Sequence, residues 1–164
     1  MDNVSEDAES GKVRSCLEEQ VFVQLQRSAD QLRRPVECFL KAAGLSPTQY
    51  NVLRILRGAG KAGCSCGEIA ERMVTRDPDI TRLLDRMETR GLVTRARADN
   101  DRRVITTHVT KEGLALLEQL DEPIQALHRE QMGHLGRDVL TRLRNLLEKV
   151  LVRHSGPRPL PPVQ

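Results

Sequence analysis

Ile80-Thr81-Arg82-Leu83-Leu84-Asp85-Arg86-Met87-Glu88-Thr89-Arg90-Gly91-Leu92-Val93-Thr94-Arg95 changes its hydrophobic period part-way along. Ile80, Leu83, Leu84 and Met87 recur at i, i+3, i+4 and i+7, the spacing of one helical face. At about 100° per residue, Arg82, Asp85, Arg86 and Thr89 fall on the opposite side, with Thr81 flanking. Gly91 supplies a stop. The texture then turns to Val, Ile and Thr. Leu92–Arg97 and Arg103–Val109 flank a five-residue polar loop, Ala98-Asp99-Asn100-Asp101-Arg102, which reads as a β-hairpin.

Working towards the N-terminus, Asp77 followed by Pro78 predicts the start of this helix. Ser65-x-x-Glu68 is a capping-box pattern opening a short helix, with Ile69, Ala70 and Met73 expected inward. Ser46 caps a further helix whose first residue is Pro47, and Tyr50, Leu53 and Leu56 continue one face to Gly58. Before it, Cys16 to about Ala43 carries apolar residues at three-to-four spacing, with a kink or break predicted at Pro35. Beyond the hairpin, Thr110 caps a helix that turns Leu114, Leu117 and Leu120 inward. A last helix is expected from about Gly136 to Val152. Three short helices followed by a hairpin form a winged helix-turn-helix, which offers one helix to the major groove and a wing to the backbone or minor groove.

The charge agrees with this reading. The chain of 164 residues has 26 Lys+Arg and 23 Asp+Glu, a net +3. Lys61 to Lys111 holds 11 basic and 8 acidic residues, leaving 15 of each elsewhere, so the whole excess lies in the helix-and-hairpin segment. A local basic bias is the footprint expected of a nucleic-acid surface. Arg82 and Arg86, one turn apart, suit phosphates or guanine O6 and N7. Arg95, Arg97, Arg102 and Arg103 crowd the hairpin, where a flat guanidinium can enter a narrow minor groove. Asp101 can brace Arg103 across one residue. Arg76, Asp79 and Thr81, at the helix start, complete the candidate DNA-binding set. Asp79 either accepts from a cytosine amine or simply stabilises the helix end.

Other chemistry finds little support. The sequence offers no phosphate-binding glycine loop, metal cage or nucleophile–base pair, so no catalytic site, metal or cofactor is expected. There is no run of about 18 apolar residues to cross a membrane. The acidic start, Met1 to Lys12, has no apolar core, so no secretory signal is expected and the four cysteines are expected reduced in a cytoplasm. Cys66, at the first position of its helix, is a candidate redox thiol because the helix dipole lowers a thiol pKa. Cys64 is expected at an apolar position and Cys38 in the core.

The segment Ile80 to Arg95 resembles the recognition helix and first wing strand of the MarR family of bacterial regulators. Asp99-Asn100-Asp101-Arg102-Arg103, followed by Thr110-Lys111-Glu112-Gly113, resembles its wing signature and the entry to its next helix. The resemblance covers about Cys16 to Val152. It implies a protein that is mostly α with a small β-hairpin wing, a winged helix-turn-helix flanked by N- and C-terminal dimerisation helices. The divisions are then an acidic N-terminus (1–14), an N-terminal dimerisation region (15–45), the winged DNA-binding domain (46–110), C-terminal dimerisation helices (111–153) and a Pro-rich tail (154–164). The resemblance further implies a homodimer on a pseudo-palindromic operator in double-stranded DNA, with Arg103 in the minor groove. It leaves room for a small aromatic or apolar effector between the lobes. Two alternatives keep the fold: a thiol-based sensor using Cys16, and a winged-helix protein-interaction module without DNA binding. The sensors of this family surround their cysteine with tyrosines, whereas this chain has Tyr50 alone. A protein partner would favour apolar or aromatic residues on the wing, and the wing has arginines.

Overall fold

The computed structural model describes residues 16–75, 79–97 and 105–153. In chain order these form α1 (Leu17–Ala42), α2 (Pro47–Ala59), β1 (Cys64–Ser65), α3 (Cys66–Arg72), α4 (Ile80–Thr89), β2 (Val93–Arg97), β3 (Ile105–Val109), α5 (Lys111–Met132) and α6 (Gly136–Arg153). The chain is mostly helical, with one small sheet. It divides after Pro35 into two compact units.

The first unit contributes the N-terminal part of α1. The break expected at Pro35 does not occur, because α1 is continuous to Ala42. Proline removes one backbone hydrogen bond and costs a helix interior about 3 kcal/mol or more. Packing beyond the proline offsets this, and exposed ion pairs before it add a little. Asp30 pairs with Arg33 at 2.9 Å and with Arg34 at 2.6 Å, stitching the turn before the proline. Beyond it, Val36, Phe39 and Leu40 join the core of the second unit. Cys38 was expected in that core and is exposed. It lies about 200° round the helix from Leu40, on the far side.

In the second unit, capping side chains set where the helices begin. Ser46 Oγ accepts from Gln49 N at 3.1 Å while Gln49 Oε1 accepts from Ser46 N at 3.0 Å, with Pro47 at the first helical position. Ser65 and Glu68 repeat the reciprocal pair at 3.3 and 2.8 Å. Each such cap stabilises a helix by about 1 kcal/mol. Helix α4 starts later than expected: it is capped by Asp79 and begins at Ile80, while Asp77 and Pro78 lie outside the described residues.

The hairpin forms in the register Val93↔Val109 through Arg97↔Ile105. Sequence reading missed β1, whose two residues pair with Thr106 and Thr107 to complete an antiparallel sheet of order β1–β3–β2. Gly63, at φ 63°, makes this possible. A Cβ there would come within 2.6 Å of the Thr107 carbonyl oxygen and the His108 ring.

Helices and sheet enclose one core. Its members include Leu53 and Leu56 from α2, Ile69, Leu83, Leu84 and Met87, Val93, and Leu117 and Leu120. Ala70, expected inward, is exposed because it lies off the Ile69 side of a very short helix, and Leu114 is half-buried. A two-pronged ion pair, Arg57 to Asp121 at 2.6 and 2.9 Å, ties α2 to α5. On α2 the Arg54 guanidinium sits over the Tyr50 ring, 5.8 Å from its centre. Apolar side chains remain uncovered on α6, where Leu146 is 59% and Val150 49% exposed. In the first unit, Leu17, Val21 and Phe22 are exposed as well.

Candidate nucleic-acid interface

The outward face of α4 follows from its own periodicity. Leu83, Leu84 and Met87 are buried and Ile80 half-buried, leaving Thr81, Arg82, Asp85, Arg86 and Thr89 exposed. The helix is positioned at both ends. At its start, Asp79 Oδ1 accepts from Arg82 N at 3.3 Å, and Asp79 Oδ2 lies 3.1 Å from Arg82 Nε. Of the two roles open to Asp79, this geometry is that of a cap. At its end, Leu92 N donates to Met87 O at 3.0 Å and Gly91 N to Glu88 O at 2.8 Å, with Gly91 at φ 69°. That is a Schellman closure, and it needs a left-handed residue at Gly91.

The turn is in turn locked to α5. Thr110 Oγ1 donates to Gly91 O at 2.7 Å, Thr110 N donates to Leu92 O at 3.1 Å, and the same hydroxyl accepts from Gly113 N at 3.0 Å. A Cβ on Gly113 would overlap the Leu92 carbonyl oxygen. The Thr110-to-Gly113 motif therefore clamps the junction of helix and wing.

Arg95 is differently occupied from the other candidate arginines. Its Nε donates to Glu88 Oε2 at 2.8 Å, and its Nη2 donates to Glu88 Oε2 at 2.6 Å and to Asp85 Oδ1 at 2.5 Å. Its backbone N–H donates to Glu88 Oε1 at 3.0 Å. Its hydrogen bonds to Glu88 and then to Asp85 hold its pKa above the ordinary arginine value. Arg97 ends β2 and is exposed; strand alternation puts it on the same sheet face as Arg95. Arg86 and Arg97 make no ion pair among the described residues. Arg76, Asp101, Arg102 and Arg103 lie outside the described residues, so α4 and the base of the wing are what the structure brings together.

Sequence reading assigned no role to Glu88 or Asn51. Asn51 Oδ1 accepts from Val74 N at 2.9 Å and so ties the chain just after α3 to α2. A lone Asn on an otherwise ordinary helix carries no signal of that contact. Glu88 is half-buried between the apolar stripe and the open face, and its partner Arg95 lies beyond the Gly91 turn, where helical spacing no longer applies.

The cysteines are spread out. Cys16 is exposed near the start of α1, and Cys66 is half-buried at the first position of α3. Cys64 is buried in β1, where burial pushes its thiol pKa up despite Arg72 Nη1 at 3.5 Å. Among the described residues no group of three His, Cys, Asp or Glu could hold a metal ion. No helix among them is long and apolar enough to cross a membrane.

Comparison with known proteins agrees with the geometry. The sequence model of the MarR family matches residues 43–104, which run from the end of α1 to the wing. The homoprotocatechuate degradative operon repressor of Escherichia coli is 30% identical over 130 residues, 79% of this chain and 84% of that protein. The multiple antibiotic resistance protein MarR of Salmonella typhimurium is 32% identical over 115 residues, 69% of this chain and 78% of that one. A crystal structure of a mutant E. coli MarR complexed with operator DNA is 28% identical, with a TM-score of 0.72 over 84% of this chain and 98% of that one. With its winged helix, its Thr110-to-Gly113 clamp and relatives matched over most of their length, the chain belongs to the MarR family of transcriptional regulators.

Proposed function

We propose that the chain is a homodimeric, sequence-specific DNA-binding repressor acting on a pseudo-palindromic operator in the bacterial cytoplasm. The observation that carries this reading is the exposed face of α4, where Arg82 and Arg86 stand one turn apart beside a wing strand joined to the same helix. In this reading α4 enters the major groove, with Arg82, Arg86 and Thr81 nearest the bases. Arg97, Arg102 and Arg103 carry the wing along the backbone and into the minor groove, and Arg76 meets phosphate at the helix entrance. The uncovered apolar residues of α6 and of the N-terminal part of α1 supply the dimer interface. A small aromatic or apolar effector releases the DNA. The operator complex of the related E. coli protein supports the DNA-binding part, and the repressor among the relatives supports the sign of regulation.

The test is a titration of the full chain against duplex from upstream of its own coding region and against a scrambled duplex, with solution mass measured in parallel. The expected result is a two-chain mass and a preference of about 10³-fold or more for the upstream duplex. Half-sites should be centred about one helical turn apart. Equal affinity for both duplexes at every salt concentration overturns the reading.

A further inference from the structure

Asp85 and Glu88 set the helix–wing junction a problem. Asp85 lies on the open face of α4 and is half-exposed, and Glu88 borders that face. Two carboxylates there would repel a phosphate backbone. Arg95 answers both. It points three of its five N–H groups at them, and its own side chain is only 25% exposed. Little of that guanidinium is left to offer DNA.

The backbone contact adds a second constraint. β2 is an outer strand of the sheet, so alternate N–H groups along it have no strand partner. Glu88 Oε1 takes the N–H of Arg95, so a single carboxylate grips strand and side chain together. The wing base and α4 are thereby fastened at a point beyond the Gly91 turn.

We propose that Arg95 is a positioning residue for DNA binding rather than a DNA contact: held by Glu88 and Asp85, it fixes the wing relative to α4 and cancels two carboxylates that would face the duplex. This rests on the DNA-binding reading above.

The test is a four-protein cycle on the full chain: the parent, Arg95→Met, the pair Asp85→Asn with Glu88→Gln, and all three substitutions together. Affinity for the upstream duplex is measured at two salt concentrations, and circular dichroism checks that each protein is folded. Arg95→Met alone should weaken binding about tenfold, inside the range of couplings between touching residues. With both carboxylates already neutral, the same substitution should change affinity less than about twofold. A direct contact behaves otherwise. Arg95→Met would then cost the same factor in both backgrounds and lower the log–log salt slope by about one per subunit, and that result overturns the proposal. Unchanged affinity in Arg95→Met overturns it as well. If Arg95→Met fails to fold, Arg95→Lys decides: a phosphate contact tolerates an ammonium, whereas a forked clasp on two carboxylates does not, so parental affinity in Arg95→Lys refutes the clasp. If the parent prefers no duplex, the DNA-binding reading itself has failed and the proposal falls with it. If the parent binds and the cycle is additive, the proposal alone is wrong.

Discussion

Gly113 sits where two backbones come closest. An added methyl group would overlap the Leu92 carbonyl oxygen and lie 2.9 Å from Val109 Cγ2. That carbonyl cannot swing aside freely, because it accepts from Thr110 N at 3.1 Å. Gly113→Ala should therefore destabilise the fold by about 1–3 kcal/mol, the usual cost of overpacking. Urea denaturation reads this directly, and an unchanged midpoint would contradict the clamp. On the open face of α4 the expectation reverses. Arg82→Ala and Arg86→Ala should leave stability within about 0.5 kcal/mol. Where either side chain meets a base edge, its loss should cost about 1–3 kcal/mol at one operator position, visible as a relaxed preference in a mutated-duplex series. These two arginines were legible in the sequence because helical period alone decides their side. The occupation of Arg95 was not legible. Its partners lie across a turn, and the contacts close only once Gly91 has reversed the chain.

At the scale of elements, the tie between α2 and α5 is the one most open to pH. Hydrogen bonds from Arg57, with its charge, hold the Asp121 carboxyl below the usual carboxylate range. A depressed folded pKa gives stability that is present above the unfolded value of about 3.9 and is lost as pH falls through the folded one. Asp121→Asn should therefore be less stable than the parent near neutrality, and the gap should close below about pH 4. Both side chains are about one-third exposed, so the gap should be no more than about 1 kcal/mol. A gap that widens in acid would show the pair has been misread. Most elements could be read from the sequence because their start signals are local: Ser46, Ser65 and Thr110 each cap the helix they announce. β1 could not be read, since two residues carry no alternation and its partner strand lies some forty residues away. Pro35 is the opposite case: of the kink or break it announces, the break does not occur. A local rule for breaking helices was outweighed by the packing of Val36, Phe39 and Leu40.

For the whole molecule, the uncovered face of α6 is the feature to challenge. Leu146 and Val150 are one turn apart and about half-exposed, so charges placed there disturb little in a single chain. Leu146→Glu with Val150→Glu should give a folded protein with the mass of one chain. Its operator affinity should fall by about 10²-fold or more as the second half-site contact is lost. A two-chain mass in that variant would move the interface elsewhere. The Tyr50–Arg54 contact gives a way to follow such an experiment. The chain has one tyrosine and no tryptophan, so emission excited beyond the phenylalanine band comes from a single ring packed against the winged core. Far-ultraviolet dichroism, by contrast, sums over every helix. The protein thus carries its own local optical reporter. If the terminal helices depend on a partner, dilution should erode the dichroism while the tyrosine emission holds steady, separating assembly from core unfolding with no label attached.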